Sequence, residues 1–376
     1  MEETILEETT QSERWKIFGR NALLFIIGLL VFLFSLDLMI SSLSKLDQTV
    51  RDTILLATSN PFTGLFIGLL VTAIIQSSSA TTLITVALVS SGSLSLQAAV
   101  PIIMGANIGT TITSTIVSLS FINKGKEFRR AVAAGTYHDF FNILTALILF
   151  PLELNFHLLS GLAEFMAVNF FHESAAQSQQ NFSLLGPGFS SPVELISGWI
   201  SNGYVLGTIS ILLLYGSILF FRKILTNTLG FGSQDKFKRF FFKSSFKSFG
   251  WGLLTTALIR SSTVTTSLVV PLVAKKVIGL KQAAPFILGA NIGTTLTALI
   301  AAMFNSNHGI SIAITHLLFN FIGVLLFFRT PYLRFVPLSL AKRLGQLTMK
   351  HRIIGFLYLL FAFFIIPFGL IYLSQN

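Results

Sequence analysis

The sequence predicts an all-α integral membrane protein made of two inverted-topology repeats, each with a re-entrant helical hairpin. Three observations predict it: apolar runs of bilayer length, a polar motif pair that recurs in one register, and loop charge that alternates along the chain. Of 376 residues, 52% are hydrophobic and only 11% charged, too little charge to clothe a soluble domain of this size. The runs 22–36 and 353–373 contain no charged residue, and the second matches the roughly twenty residues that cross a hydrocarbon core.

The net charge of +11 raises the question of nucleic acid, but the basic residues lie between apolar segments rather than on a folded basic domain. They read as cytoplasmic loops. With no Cys in the chain, disulfides, thiolate metal sites and Cys nucleophiles are excluded.

In chain order, residues 1–20 form a polar tail expected in the cytoplasm, followed by a first membrane repeat over 21–151. Lys124, Lys126, Arg129 and Arg130 mark a basic loop within it. Residues 152–195 lack Lys and Arg but carry Glu153, Glu164, Glu173 and Glu194, and are expected as an extracytoplasmic loop. A second repeat covers 196–328, with seven basic residues between Arg222 and Lys247. Residues 329–376 read as a further basic loop and a C-terminal membrane helix, which leaves the C-terminus outside.

The chain repeats itself. G-L-L-V-T-A-I-I-Q-S-S-S-A-T-T, from Gly68 to Thr82, returns 184 positions later as G-L-L-T-T-A-L-I-R-S-S-T-V-T-T, from Gly252 to Thr266. G-A-N-I-G-T-T at Gly105–Thr111 returns at Gly289–Thr295 with the same shift, and Pro101 matches Pro285. Two blocks in one register indicate duplication. A looser echo sets His138-Asp139-Phe140-Phe141-Asn142 against His316-Leu317-Leu318-Phe319-Asn320, at a shift of 178. The first motif lies in a stretch without Lys or Arg, whereas Lys243, Lys247, Lys275, Lys276 and Lys281 flank the second. One motif is therefore expected to enter from outside and the other from inside, the inverted arrangement of secondary transporters. Each segment, such as 62–75 or 80–89, is half a span, so each block reads as a hairpin whose polar tip (Gln76 to Ser79 in the first) sits near mid-membrane.

Such tips supply hydroxyls and the free N–H groups of helix starts. Ser77, Ser78 and Ser79, and their counterparts Ser261, Ser262 and Thr263, can cap the following helices and form an anion site. Hydroxyl and carbonyl oxygens also suit a hard cation. In membrane helices the same residues often only bond neighbouring helices. In G-A-N-I-G-T-T the glycines have the spacing that lets helices approach closely. Asn107 and Asn291 need partners at that depth, and with Thr110, Thr111, Thr294 and Thr295 are expected to brace or line the site. No Lys follows the motif as a nucleotide loop requires.

Asp37, Asp139 and Arg260 are the clear charges inside apolar spans, and such residues are functional candidates by default. Asp139, on a helix expected over about 130–150, is the best cation ligand; Asp37 lies nearer a helix end. Arg260 replaces the glutamine that symmetry with Gln76 predicts. Its guanidinium is suited to bidentate phosphate contact, to standing in for a cation, or to pairing with an aspartate. His138 and His316 read as hydrogen-bonded structural residues rather than metal ligands.

Q-S-S-S-A-T-T, I-M-G-A-N-I-G-T-T, T-Y-H-D-F-F-N and the second G-A-N-I-G-T-T resemble the type II sodium-dependent phosphate cotransporters, as do S-L-D-L at Ser35 and S-N-P-F-T-G at Ser59. The resemblance runs from about Ala22 to Phe328. It implies inorganic phosphate held between the tips by Gln76, Ser77, Ser78, Ser79, Ser261, Ser262 and Thr263. Asn107, Thr110, Thr111, Asn291, Thr294 and Thr295 would support phosphate and sodium, with Gln76, Ser79 and Asn142 also in the sodium set. An aspartate at the position of Asp139 implies an additional sodium and electrogenic uptake of divalent phosphate. Arg260 and Thr263 depart from the family's second Q-S-S-S. The expected protein is thus a multi-pass cell-membrane symporter, with sodium as coupling ion, phosphate as cargo, and neither a cofactor nor nucleic acid. A proton-coupled or other-oxyanion carrier, an anion channel and an intramembrane serine hydrolase are the competing classes; no G-x-S-x-G accompanies the serines of the last.

Overall fold

A computed structural model describes residues 58–171, 190–213, 241–259, 261–302 and 307–375, with scattered positions between 20 and 45 and at 216. Among the described residues every regular element is a helix. Among these residues, five continuous stretches are long and apolar enough to cross a membrane: 96–119, 126–156, 280–300, 308–329 and 353–373.

The first helix, α1 (Pro61–Ile75), starts where Asn60 accepts from the Phe62 amide at 2.9 Å and Pro61 presets the first turn. It stops at Gln76, and α2 (Ser78–Ser90) follows after two residues. Next come α3 (Leu96–Gly109), capped by Ser95, and α4 (Ile112–Leu119). The expected helix over 130–150 is longer and jointed at Thr136, as α5 (Lys126–Gly135) and α6 (Tyr137–Phe156). Most of the described part of the stretch expected as an acidic loop is helical. There, α7 spans Leu158–Phe170 and α8 spans Ser190–Trp199. Glu153 helps to explain this: its buried Oε2 accepts from the amides of Leu159 and Ser160, so this acid caps a helix instead of facing water.

Then follow α9 (Gly203–Leu213), α10 (Ser245–Ile259), α11 (Ser262–Ala274), α12 (Leu280–Ala302) and α13 (Asn307–Val324), which ends in a π-helical turn, Leu325–Arg329. Helix α14 (Phe335–Lys350) precedes a last span of α15 (Ile353–Leu360), a π-turn and α16 (Ile366–Gln375). Only 17% of the last span's apolar window is buried, leaving side chains such as Phe368 and Leu373 on the outside, as hydrocarbon permits.

The packing repeats as the sequence does. A Cβ on Gly68 would run into the Ile102 carbonyl, and one on Gly252 into the Phe286 carbonyl, 184 residues on. Gly105 lies against the backbone of Leu65 and Gly289 against that of Phe249. These glycines let α1 touch α3, and α10 touch α12, backbone to backbone. The halves are also interleaved, because α2 packs on α13 while α11 packs on α4 and α5.

Candidate functional site

The site grows out of the two helix breaks. Gln76 takes a left-handed conformation, φ 58° and ψ 31°, with its amide on the Thr72 carbonyl at 2.6 Å. That turn ends α1, and the Thr72 and Thr81 hydroxyls, 2.8 Å apart, tie α1 to α2. Ser77 is extended, φ −150° and ψ 105°, and its Oγ accepts from the Ala80 amide. Ser261 has nearly the same conformation, φ −150° and ψ 104°, and its Oγ accepts from Val264. Of the six tip residues expected to cap, only these two do. Ser78, Ser79, Ser262 and Thr263 belong to the first turns of α2 and α11, so the breaks are shorter than the sequence pattern indicates.

The two breaks meet. Thr263 Oγ1 donates to the Gln76 carbonyl at 3.2 Å, across 187 residues of chain. Thr294 supports the second one by accepting the Ser262 amide at 3.1 Å. Gln76 is exposed, Ser77, Ser79 and Ser261 are half-buried, and Ser78, Ser262 and Thr263 are buried. The Ser79 hydroxyl has no partner among the described residues. Two serine-capped helix N-termini thus stand beside each other, their dipoles' positive ends side by side, an arrangement able to take an anion.

Behind them lies a closed amide network. Asn107 Oδ1 accepts from His316 Nε2 and from Asn320 Nδ2, both at 3.0 Å. Asn291 Nδ2 donates to Asn320 Oδ1 at 2.7 Å and to Asn142 Oδ1 at 3.0 Å. Asn142 Nδ2 returns to the Asn107 carbonyl at 2.6 Å. Because His316 Nε2 donates, its Nδ1 accepts, and Thr82 Oγ1 lies 2.9 Å away to supply the proton. The network links α2, α3, α6, α12 and α13. It holds Asn107, Asn142 and Asn291 as braces between helices.

Asp139 is fully buried. Its Oδ2 accepts from Thr115 at 2.8 Å and from Tyr358 at 3.1 Å, while Oδ1 has no partner among the described residues. Thr111 stands alongside. The Thr110, Thr111 and Thr295 hydroxyls donate back to the carbonyls of Ala106, Ile108 and Ile292. A hydroxyl that donates backward keeps its lone pairs outward. With Thr111, Thr115 and Tyr358 beside it, the unpartnered carboxylate oxygen of Asp139 is an oxygen-rich setting suited to a hard cation. Arg260 and Asp37, singled out from the sequence, lie outside the described residues.

Sequence reasoning missed Thr82, Thr115, Asn320 and Tyr358. The loose echo of His138–Asn142 in His316–Asn320 was the available signal for Asn320; nothing in the pattern marked Tyr358, which arrives from the last span.

These features define an all-α membrane protein with a polar interior behind two helix breaks of matching geometry. Its sequence matches the Na+/Pi-cotransporter profile over residues 31–155 and 212–373. The chain belongs to that family. It is 30% identical over 452 aligned positions to sodium-dependent phosphate transport protein 2B of Homo sapiens, covering 94% of this chain and 65% of that protein. It is 32% identical over 426 positions to sodium-dependent phosphate transport protein 2A of Ovis aries, covering 91% and 66%. The chain therefore spans about two thirds of the length of these relatives. No solved structure matches it.

Proposed function

We propose that this protein is a sodium-coupled importer of inorganic phosphate in the cell membrane, cycling by alternating access. The observation that carries the reading is the contact of the two breaks, Thr263 to the Gln76 carbonyl. It brings two serine-capped helix N-termini from distant parts of the chain to one place. Family membership and the names of the relatives supply the cargo.

In this reading each break is the tip of a re-entrant hairpin, in repeats of opposite topology over 21–151 and 196–328. Phosphate lies between Gln76, Ser77, Ser78 and Ser79 on one side and Arg260, Ser261, Ser262 and Thr263 on the other. First-turn amides and hydroxyls donate to its oxygens, and the Arg260 guanidinium offsets its charge. Asn107 and Asn291 hold the walls. Sodium is taken by Asp139 with hydroxyl oxygens of Thr110, Thr111, Thr294 and Thr295, and by Gln76, Ser79 and Asn142.

The order of events follows from charge. A bare divalent anion is costly to desolvate, so sodium binds first and phosphate enters a neutralised pocket. Residues 152–195 face outward and the basic loops inward. Transport is electrogenic because Asp139 adds a site for one further sodium, and the membrane potential then drives the cycle at about 2.3 kcal/mol per charge per 100 mV. Labelled-phosphate uptake into proteoliposomes tests the reading. Saturable uptake is expected only with an inward sodium gradient. Uptake driven equally by a proton gradient, or flux that never saturates, would replace it with the proton-coupled or channel reading.

A further inference from the structure

Away from the helix breaks, a cleft of about 420 Å³ opens between α10, α12, α13 and α14. Its rim carries Lys281, Arg329 and Arg334, and among the described residues no carboxylate lines it. Its walls are Phe246, Phe327, Phe328, Phe335, Leu288 and Leu338, among others. Lys281 and Arg334 both sit over the Phe335 ring, at 6.0 and 4.6 Å from its centre, so two cations gather about one aromatic side chain. The π-turn that ends α13 delivers Arg329 to the third corner. Nearby Tyr332 is 87% exposed, as befits a tyrosine at a membrane–water interface.

We propose that this cleft binds an anionic phospholipid of the cytoplasmic leaflet. The phosphodiester headgroup lies among the three cations, and one acyl chain follows the phenylalanine wall inward. The combination selects this occupant. Free phosphate would pair with the cations but leave the apolar walls uncovered, and a zwitterionic lipid brings its own cation into a rim that already has three. Basic pockets between membrane helices on the cytoplasmic side suit such headgroups. The orientation comes from loop charge, so the site stands independently of the transport reading. A lipid wedged here would touch α10 and α12 on one side and α13 and α14 on the other, and would hold the second glycine-packed pair against its neighbours.

The test is native mass spectrometry of the purified full chain, titrated with phosphatidylglycerol or phosphatidylcholine. Phosphatidylglycerol should be retained in preference to phosphatidylcholine and should resist displacement by millimolar inorganic phosphate. The variant Lys281→Gln/Arg329→Gln/Arg334→Gln should bind it roughly a hundredfold more weakly, at about 1 kcal/mol per cation. The charge-matched variant Lys342→Gln/Arg343→Gln/Lys350→Gln, altered on the exposed face of α14, should bind as the parent does. Equal losses in the two variants, equal retention of the two lipids, or displacement by inorganic phosphate would each overturn the proposal.

Discussion

The two breaks differ far less in backbone than in charge. Ser77 and Ser261 agree to about one degree in φ and ψ, and the glycine contacts behind them coincide pair by pair. The chemistry around them diverges. The first half carries Asp139, with Leu317 at the echoing position of the second; the second carries Arg260, with Gln76 at its counterpart. Thr110 and Thr111 interrupt α3 and α4, while α12 runs unbroken through Thr294 and Thr295. His316 is bonded at both ring nitrogens, whereas neither nitrogen of His138 has a partner among the described residues, although Asn291 lies within electrostatic reach. Duplication preserved the frame, whose backbone contacts tolerate no side chain. It left free the positions where charge decides what each half can hold.

The largest expected effect tests the shared frame. Gly105→Val and Gly289→Val each drive a side chain into a backbone carbonyl, where relief requires moving a whole helix. Overpacking of this kind costs about 1–3 kcal/mol or more, so neither variant should give a monodisperse peak on size-exclusion chromatography. Gly161→Val, facing open space, should behave as the parent. A large inequality between the first two would show that the halves do not depend equally on close packing.

Next comes the charge that the halves do not share. Asp139→Asn removes the buried carboxylate but keeps its shape, so phosphate-induced current in voltage-clamped membranes should fall at least tenfold, about 1.4 kcal/mol. Phosphate binding at saturating sodium should survive. An unchanged current would remove Asp139 from the sodium path and leave it as a bonding partner of Thr115 and Tyr358.

A third effect sharpens the histidine asymmetry. His316→Phe deletes bonds to Thr82 and Asn107 and leaves buried polar atoms unsatisfied, at roughly 1–3 kcal/mol. His138→Phe deletes none that the structure shows and should cost less than about 1 kcal/mol. Thermal unfolding in one detergent would rank them. A reversed ranking would mean that His138 gains partners in another conformation.

Much of this was legible in the sequence for a physical reason. Membrane helices leave a strong signal in apolar length, and the glycines, asparagines and serines recur because backbone contact and buried amides admit few substitutes. The shift of 184 therefore pairs residues that make equivalent contacts, Gly68 on Ile102 and Gly252 on Phe286. What stayed hidden had no such constraint. Glu153 lies in a stretch that reads as a loop by charge sign, since a cap and a solvated acid look alike in sequence. Tyr358 meets Asp139 across 219 residues of chain, and one of two tyrosines on an otherwise apolar span gives no pattern to read. The closed network needed a structure because four asparagines can pair in several ways, and only the helix positions choose among them.

The smallest effect separates folding from binding at the breaks themselves. Ser77→Ala and Ser261→Ala each remove a cap, worth about 0.5–2 kcal/mol, whereas glycine at the same positions costs only a few tenths. Because the two caps share one geometry, the two alanine losses in unfolding free energy should agree within about 0.5 kcal/mol. Half-saturation for phosphate supplies the second axis. If both hydroxyls also reach the anion, affinity should fall in the glycine variants too, where stability barely moves. If affinity follows stability in all four variants, the serines act on the helices alone, and the amides of α2 and α11 are left to recognise the anion.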